Sequence, residues 1–388
     1  MQKITATRMA DIESFHVMAI LARAKELEAS GKSVIHMEIG EPDFSTPQPV
    51  IDAATTAITK GDMHYTAAAG MLALREAIAN FYKTRYGVDV DPTRIIVTPG
   101  ASGALLLALG VLLSPGDEVV LADPGYPCNR HFVRLLEGRT VNVPVGPNTH
   151  YQLNAALIDQ HWRTRTVAAL VASPANPTGT LVSEVEMENI AKVVSARNGQ
   201  LIVDEIYHGL TYDEEVVTAL RVEPEAFIIN SFSKYFQMTG WRLGWLVAPE
   251  KYVSDVQKLA QNIFLAASTP AQHAALAAFQ PDTIEILEAR RREFEARRNF
   301  LLPALRELGF KIPVTPAGAF YLYADCSAFT NDSFKFAQDL LEKTYVAITP
   351  GIDFGGYLPE KHVRFAYTTT VEKLKEAVER IRKFVINR

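Results

Sequence analysis

The chain has 388 residues, enough for two cores, and its 48% hydrophobic and 21% charged residues are those of a globular protein without biased tracts. A net charge of -5 with no basic cluster argues against a nucleic-acid surface. The longest apolar run, Ala104 to Leu113, falls short of the roughly 20 residues a membrane span needs. Only two cysteines occur, Cys128 and Cys326, and no N-terminal export signal is visible, so a soluble protein of the reducing cytoplasm is expected.

Periodicity predicts an N-terminal helix over Phe15 to Ser30, with Gly31 after it. Short apolar runs then recur with helix-length segments between them. They are "RIIVTPG" ending at Gly100, "DEVVLADPGYP" at Pro127, "TVAALVASP" at Pro174, "QLIVDEIY" at Tyr207 and "AFIINSFSK" at Lys234. These runs are continuous rather than alternating, as expected of strands buried on both faces of a parallel sheet, with crossover helices such as Leu181 to Asn198. The next run, "WRLGWLVAP" from Trp241 to Pro249, begins too soon after Lys234 for a crossover and is expected to run antiparallel to its predecessor.

From Pro281 the character changes. Asp282 and Glu285 predict a capping box for a charged helix to about Asn299, and its basic run, Ala289 to Arg298, reads as a solvated face. Two short strands follow, in "GAFYLYADC" and "HVRFAYT". A last helix carries Val371, Leu374, Val378, Ile381 and Val385 on one face, with Thr369 as its expected cap. The pattern is α/β: a three-layer, doubly wound, mostly parallel sheet with a smaller α+β domain. The expected large domain is 46–281; the small one combines 1–45, with the N-terminal helix, and 282–388.

In open α/β sheets ligands bind outside the carboxyl ends of the strands, and here the polar and glycine-rich residues fall at those ends. Gly100, Ala101, Ser102 and Gly103 open a helix and offer backbone N–H groups and a hydroxyl to an anion. Alone, this is an ordinary strand-to-helix turn, and it lacks both the GxGxxG and the GK[ST] fingerprints, so a nicotinamide-dependent dehydrogenase is not supported. Ser231, Ser233 and Arg242 add donors for the same anion, with Arg242 suited to bidentate binding. One phosphate is the economical ligand.

Lys234 stands within reach of whatever carries that phosphate, and a buried lysine attacks carbonyls once its pKa falls. Asp204 closes the strand in "VDEIY", where a carboxylate is costly unless a positive group pairs with it. Tyr207 can point a hydroxyl into the same crevice, and Asn176 is framed by Pro174 and Pro177. His208 reads as structural, and Arg130, just past Tyr126, as a solvated arginine in preference to one that meets an acidic side chain. The nine histidines and two cysteines have no ligand spacing, so no metal is expected.

A lysine for an aldehyde, a carboxylate for a ring cation and a phosphate cup together describe pyridoxal 5'-phosphate. "SPANPTG", "DEIY" and "SFSKYFQMTGWRLGW", in this order, with "IGEPDF" (Ile39 to Phe44) near one end and "HVRFAYT" near the other, carry a family likeness. The chain resembles the class I/II pyridoxal-phosphate-dependent aminotransferases of fold type I, related to aspartate aminotransferase. The resemblance implies that Lys234 carries the cofactor through an imine, Asp204 pairs with the pyridine nitrogen, and Tyr207 and Asn176 bond the ring's phenolic oxygen. Tyr126 would stack on the ring, and Gly100, Ala101, Ser102, Ser231, Ser233 and Arg242 would hold the phosphate. It implies that Arg364 clamps the substrate α-carboxylate, with Gly40 and Phe320 beside it.

Tyr65 matches a tyrosine lent to the neighbouring subunit's phosphate, which implies a homodimer with shared sites. Ala101 stands where several relatives have glycine, and only its N–H is needed. The implied reaction moves the amino group of an L-amino acid to a 2-oxo acid by a ping-pong Schiff-base route. Aspartate leads the donors, with glutamate, alanine and aromatic amino acids open. A carbon–sulfur β-lyase or other carbanion chemistry on the same fold is the alternative.

Overall fold

The computed structural model describes residues 5–61, 63–213 and 216–386. In chain order its strands are β1 (Ile35–Met37), β2 (Ile95–Thr98), β3 (Glu118–Asp123), β4 (Arg139–Pro144), β5 (Thr166–Ala172) and β6 (Gln200–Asp204). They continue with β7 (Phe227–Ser231), β8 (Gly244–Val247), β9 (Tyr321–Asp325), β10 (Val346–Pro350) and β11 (His362–Ala366). Among the described residues these form two sheets, one ordered β2-β8-β7-β6-β5-β3-β4 and one ordered β1-β10-β11-β9.

In the larger sheet every neighbouring pair is parallel except those made by β8, which runs antiparallel to both β2 and β7. The other six strands therefore end along one rim. Side chains alternate between two cores: Val97, Val120, Ala169, Val203 and Ile228 enter one, while Ile96, Val119, Ala168, Ile202 and Ile229 enter the other. Both faces are buried under helices, which is why the strands read as continuous apolar runs. This is the three-layer, doubly wound α/β fold that the sequence predicts, and the antiparallel β8 is where it was expected.

Three strands carry no such signal. β4 lies at the sheet edge with every second residue half or fully exposed, β1 has three residues, and β10 follows directly on a helix at the left-handed Tyr345 (φ 60°). β1 and β10 complete the smaller sheet around β11 and β9. Helix α1 (His16–Ala29) buries Ile20, Ala24 and Leu27 and packs on β10.

Helix ends differ from expectation in three places. The crossover helix is Glu184–Ala196, with the Ser183 hydroxyl accepting from the Glu186 N–H at 3.2 Å. The charged helix is Pro281–Glu307, capped by Gln280 with Pro281 as its first residue. There is no capping box: Asp282 accepts from the adjacent Thr283 N–H instead, at 2.8 Å. The last helix, Val371–Ile386, is capped by Thr370 rather than Thr369, whose hydroxyl lies one residue too early; Thr370 Oγ1 accepts from Lys373 N at 3.3 Å.

The basic run is a correction too. Arg297 and Arg298 are only 1% and 2% exposed. Arg297 grips both carboxylate oxygens of Asp43 at 2.6 and 3.0 Å, and Arg298 pairs with Asp213 at 2.6 Å and the Pro316 carbonyl at 3.0 Å. Buried guanidinium groups are tolerable because each is paired and hydrogen-bonded. Arg297 thereby pins the "EPDF" segment to this helix. No helix of the described residues is long and apolar enough to cross a membrane.

Candidate active site

The rim of the larger sheet opens into a crevice of about 310 Å³. Each of the five loops reaches it. Ala101 and Ser102 come from the helix after β2, Tyr126 follows β3, Asn176 follows β5, Asp204 and Tyr207 follow β6, and Ser231, Ser233 and Lys234 follow β7. Arg242 enters from the β7–β8 turn, Gly40 from the segment after β1, and Arg364 from β11.

Local register explains the anion cup. Ser231 pairs with Gly244 across β7–β8, and Thr98 pairs with the same Gly244 across β2–β8. A β-carbon on Gly244 would lie 2.8 Å from the carbonyl carbon of Gly100 and 2.9 Å from the nitrogen of Ala101. Only glycine lets the start of helix Gly100–Leu112 approach β8 so closely. Gly100 itself is left-handed (φ +69°), and its β-carbon would meet Arg242 Nη2 at 2.7 Å. The first N–H groups of this helix thus face a guanidinium whose Nη1 bonds the Thr239 carbonyl at 3.0 Å. The Ser231 hydroxyl accepts from Ser233 N at 3.0 Å and lies 3.3 Å from the Leu243 carbonyl.

Lys234 is half-buried with its amine enclosed, and its Nζ donates to the Gly40 carbonyl at 2.6 Å. Burial pulls its pKa down to about 8, helped by the positive charges of Arg364 and Arg242 and opposed by Glu41 and Asp204. Asp204 is 3% exposed and accepts from Ile206 N at 3.1 Å. Burial raises its pKa to about 6, opposed by that N–H and by Lys234, so a cation brought beside it is stabilising.

Tyr207 shares a 2.9 Å hydrogen bond between hydroxyls with Tyr321, and burial holds both phenols above their usual range. Arg364 donates through Nη1 to Asn176 Oδ1 at 2.9 Å and through Nη2 to the Glu38 carbonyl at 2.6 Å and Thr349 Oγ1 at 3.1 Å. Those partners are all neutral, and its buried Nε has no hydrogen-bond partner among the described residues. A guanidinium held this way is built to receive an anion.

Three of the sequence candidates stand outside the crevice lining. Gly100 supports the cup from behind Arg242, as above. Tyr65 is 83% exposed. Phe320 is buried behind the wall, its ring centroid 5.9 Å from Lys234 Nζ. Tyr321 takes the wall position instead, with its ring 4.2 Å from the Arg364 guanidinium carbon and its hydroxyl so near Gly40 that a β-carbon there would fall 2.2 Å from it. Nothing in the run "GAFYLY" says which of two adjacent aromatics faces the crevice.

Arg130 is the other correction. It is half-buried, donates through Nη2 to the Asp353 carbonyl at 3.0 Å, and lines a cavity of about 870 Å³ that shares Tyr126, Asn176 and Phe354 with the crevice. Its helix, Pro127–Leu135, starts at the Tyr126 turn, so position and not residue type draws it inward. His208 is buried, and burial lowers its pKa to about 3, so it stays neutral against the Tyr86 hydroxyl at 3.3 Å. Among the described residues, no group of three or more His, Cys, Asp or Glu is placed to hold a metal ion.

The donor set fits pyridoxal phosphate. A helix N-terminus with serines and Arg242 suits a phosphate, a buried amine of lowered pKa suits an aldehyde, and Asp204 suits a ring cation. Comparisons with known proteins agree. A family model described as aminotransferase class I and II matches residues 32–381. A (5-formylfuran-3-yl)methyl phosphate transaminase of Methanocaldococcus jannaschii is 38% identical over 97% of this chain and 98% of its own. A valine–pyruvate aminotransferase of Mycobacterium tuberculosis is 38% identical over 96% of each, and an aspartate aminotransferase of Thermotoga maritima 36% over 99% and 100%.

The crystal structure of a Mycobacterium tuberculosis aminotransferase superposes with a TM-score of 0.97 at 36% identity, covering 100% of both chains. The fold and crevice thus define a transferase of fold type I. The chain belongs to the class I and II aminotransferases; it is a transaminase, and its cofactor is pyridoxal 5'-phosphate. None of these four relatives is named a lyase.

Proposed function

We propose that this transaminase takes its amino group from an acidic L-amino acid, aspartate first, and passes it to a 2-oxo acid, with Lys234 as the residue that both holds the cofactor and moves the proton. The buried Lys234 amine, ringed by Asp204, Tyr207, Arg242 and Arg364, is the observation that carries the reading. Arg364 holds the substrate α-carboxylate, with its free Nε as a further donor. Lys234 would remove the proton at the substrate α-carbon as base and, as acid, deliver it to the cofactor carbon that takes up the amino group. Bound pyridoxal phosphate supplies the electron sink. Asp204 holds the proton on the ring nitrogen, and Tyr207 and Asn176 hydrogen-bond the ring oxygen. Tyr126 lies against the ring, while Gly100, Ala101, Ser102, Ser231, Ser233 and Arg242 hold the phosphate. Gly40 and the paired aromatics Phe320 and Tyr321 close the substrate side.

Neutral amine is the form of Lys234 that captures an aldehyde. With its pKa near 8, the neutral fraction grows about tenfold per pH unit up to that value and levels off above it. The rate at which cofactor-free protein takes up pyridoxal phosphate, followed by absorbance, is expected to climb between pH 6 and 8 and flatten beyond. A rate independent of pH across that window contradicts the reading.

For the substrate side chain, Arg130 lines the cavity beside Tyr126 with, among the described residues, only a backbone carbonyl as hydrogen-bond partner. An aspartate aminotransferase among the relatives supports an acidic donor, while apolar walls at Leu121, Leu170 and Ile352 and a valine–pyruvate relative favour an aliphatic one as the second reading. A panel of L-aspartate, L-glutamate, L-alanine, L-valine and L-phenylalanine against 2-oxoglutarate and pyruvate decides. Arg130→Ala is expected to raise KM for aspartate about tenfold and leave alanine within twofold, the scale of one partly solvated ion pair. An equal effect on both donors, or faster turnover of valine than aspartate by the unsubstituted enzyme, removes the acidic reading.

The same reading takes the protein as a cytoplasmic homodimer in which Tyr65 reaches the neighbouring subunit's phosphate. Tyr65 has the highest exposure of any large hydrophobic residue among those described, and among the same residues neither cysteine forms a disulfide. Two structural units, 46–281 and 1–45 with 282–388, are supported by the separate four-stranded sheet.

A further inference from the structure

After β10 the chain makes a one-turn helix, Gly351–Phe354, and then the pair Gly355–Gly356. This short segment is bonded in two directions at once. The Asp353 carboxylate accepts from the first backbone N–H groups of α1, His16 at 2.7 Å and Val17 at 2.8 Å. Its carbonyl accepts from Arg130 Nη2 at 3.0 Å, and the Phe354 carbonyl accepts from Gly125 N at 2.8 Å. From the far side Asp123, the last residue of β3, accepts from Gly356 N at 3.0 Å and Tyr357 N at 3.2 Å. A β-carbon on Gly355 would fall 1.9 Å from Asp123 Oδ1, so glycine is required for the approach.

Both carboxylates are nearly inaccessible, Asp353 at 4% and Asp123 at 8% exposure. Burying a carboxylate is costly, and each is compensated by a pair of backbone N–H groups belonging to another element, with the charges of His16 and Arg364 adding to the pair at Asp353. The elements so joined both line the crevice: Phe15, Val17 and Met18 at the head of α1, and the Tyr126 turn that leaves β3. Neither aspartate carries a role in the chemistry above.

We infer that Asp353 and Asp123 are positioning residues that form a clasp, fixing the head of α1 against the Tyr126 turn and so setting the affinity for the amino donor. Loosening the clasp widens the donor's berth and leaves Lys234, Asp204 and the phosphate cup in place. The inference rests on the reading that the donor occupies this crevice. It predicts a change in KM, since the walls bear on the donor in its ground state and its transition state alike.

The test uses the holoenzyme and, from L-aspartate, L-alanine, L-valine and L-phenylalanine, the donor that the unsubstituted enzyme turns over fastest. Asp353→Asn keeps size and one acceptor, and Asp123→Asn does the same on the other side. Each is expected to raise KM about tenfold, with kcat within threefold and the cofactor's absorbance spectrum unchanged. The double substitution should cost no more than about the worse single one, because each breaks the same clasp. Unchanged KM, or a fall in kcat at constant KM, overturns the inference and leaves the assignment of the crevice standing. An unsubstituted enzyme that turns over none of the four removes that assignment and the inference with it.

A second measurement needs no variant. Amide exchange at His16 and Val17 in the holoenzyme should slow at least threefold when that donor and 2-oxoglutarate are present at equilibrium; unaltered exchange there overturns the clasp.

Discussion

Replacing Lys234 with alanine is expected to abolish transamination, lowering kcat by at least about 10⁴-fold, because the general acid–base contribution alone reaches that order. The proposed phosphate cup does not depend on this side chain: the helix N-terminus at Gly100, the Ser231 and Ser233 pair and Arg242 are held by the β2–β8–β7 register. Pyridoxal phosphate should therefore still bind the variant, noncovalently and more weakly. Equilibrium dialysis with steady-state kinetics reads both quantities. Cofactor retained with turnover lost is the predicted pair of results. Turnover retained assigns the proton transfer to another group.

Arg364→Ala is the second large effect. The guanidinium is 5% exposed and spends its Nη bonds on Asn176, the Glu38 carbonyl and Thr349. On the proposed reading its charge is left for the substrate. Truncating one partner of a buried charge pair costs about 3–4 kcal/mol, or roughly 10²–10³ in kcat/KM. The loss should be similar for every donor, since all share the α-carboxylate, whereas the Arg130 substitution should discriminate among donors. Arg364→Lys should recover little, because a point charge cannot reproduce a planar fork that is stacked 4.2 Å from the Tyr321 ring centroid. Kinetics across the donor panel separate the two patterns. A loss confined to one donor contradicts the assignment.

Where the physics is local, the sequence announces the structure. Ile96 and Val97 go to opposite cores, as do Val119 and Val120, so strands buried on both faces leave a continuous apolar trace. Chemistry at the strand ends is legible for the same reason, since Asp204 and Ser231 are the last residues of β6 and β7 and Lys234 lies in the turn after β7.

What depends on a distant partner is not legible. Arg297 and Arg298 look solvated until Asp43 and Asp213 arrive from other parts of the chain. Arg130 looks solvated until the Asp353 loop folds across it. Tyr321 and Phe320 are adjacent aromatics, and only the β9–β11 pairing turns the Tyr321 hydroxyl toward Tyr207. β1 and β10 are short and find each other across most of the chain, so neither has a pattern of its own to read.

The covalent attachment of the cofactor at Lys234 is most directly tested by reducing the holoenzyme with borohydride, digesting it and locating the pyridoxyl group by mass spectrometry. The account predicts one modified peptide, carrying the group on Lys234. A label on a different lysine, or none from protein saturated with pyridoxal phosphate, contradicts it.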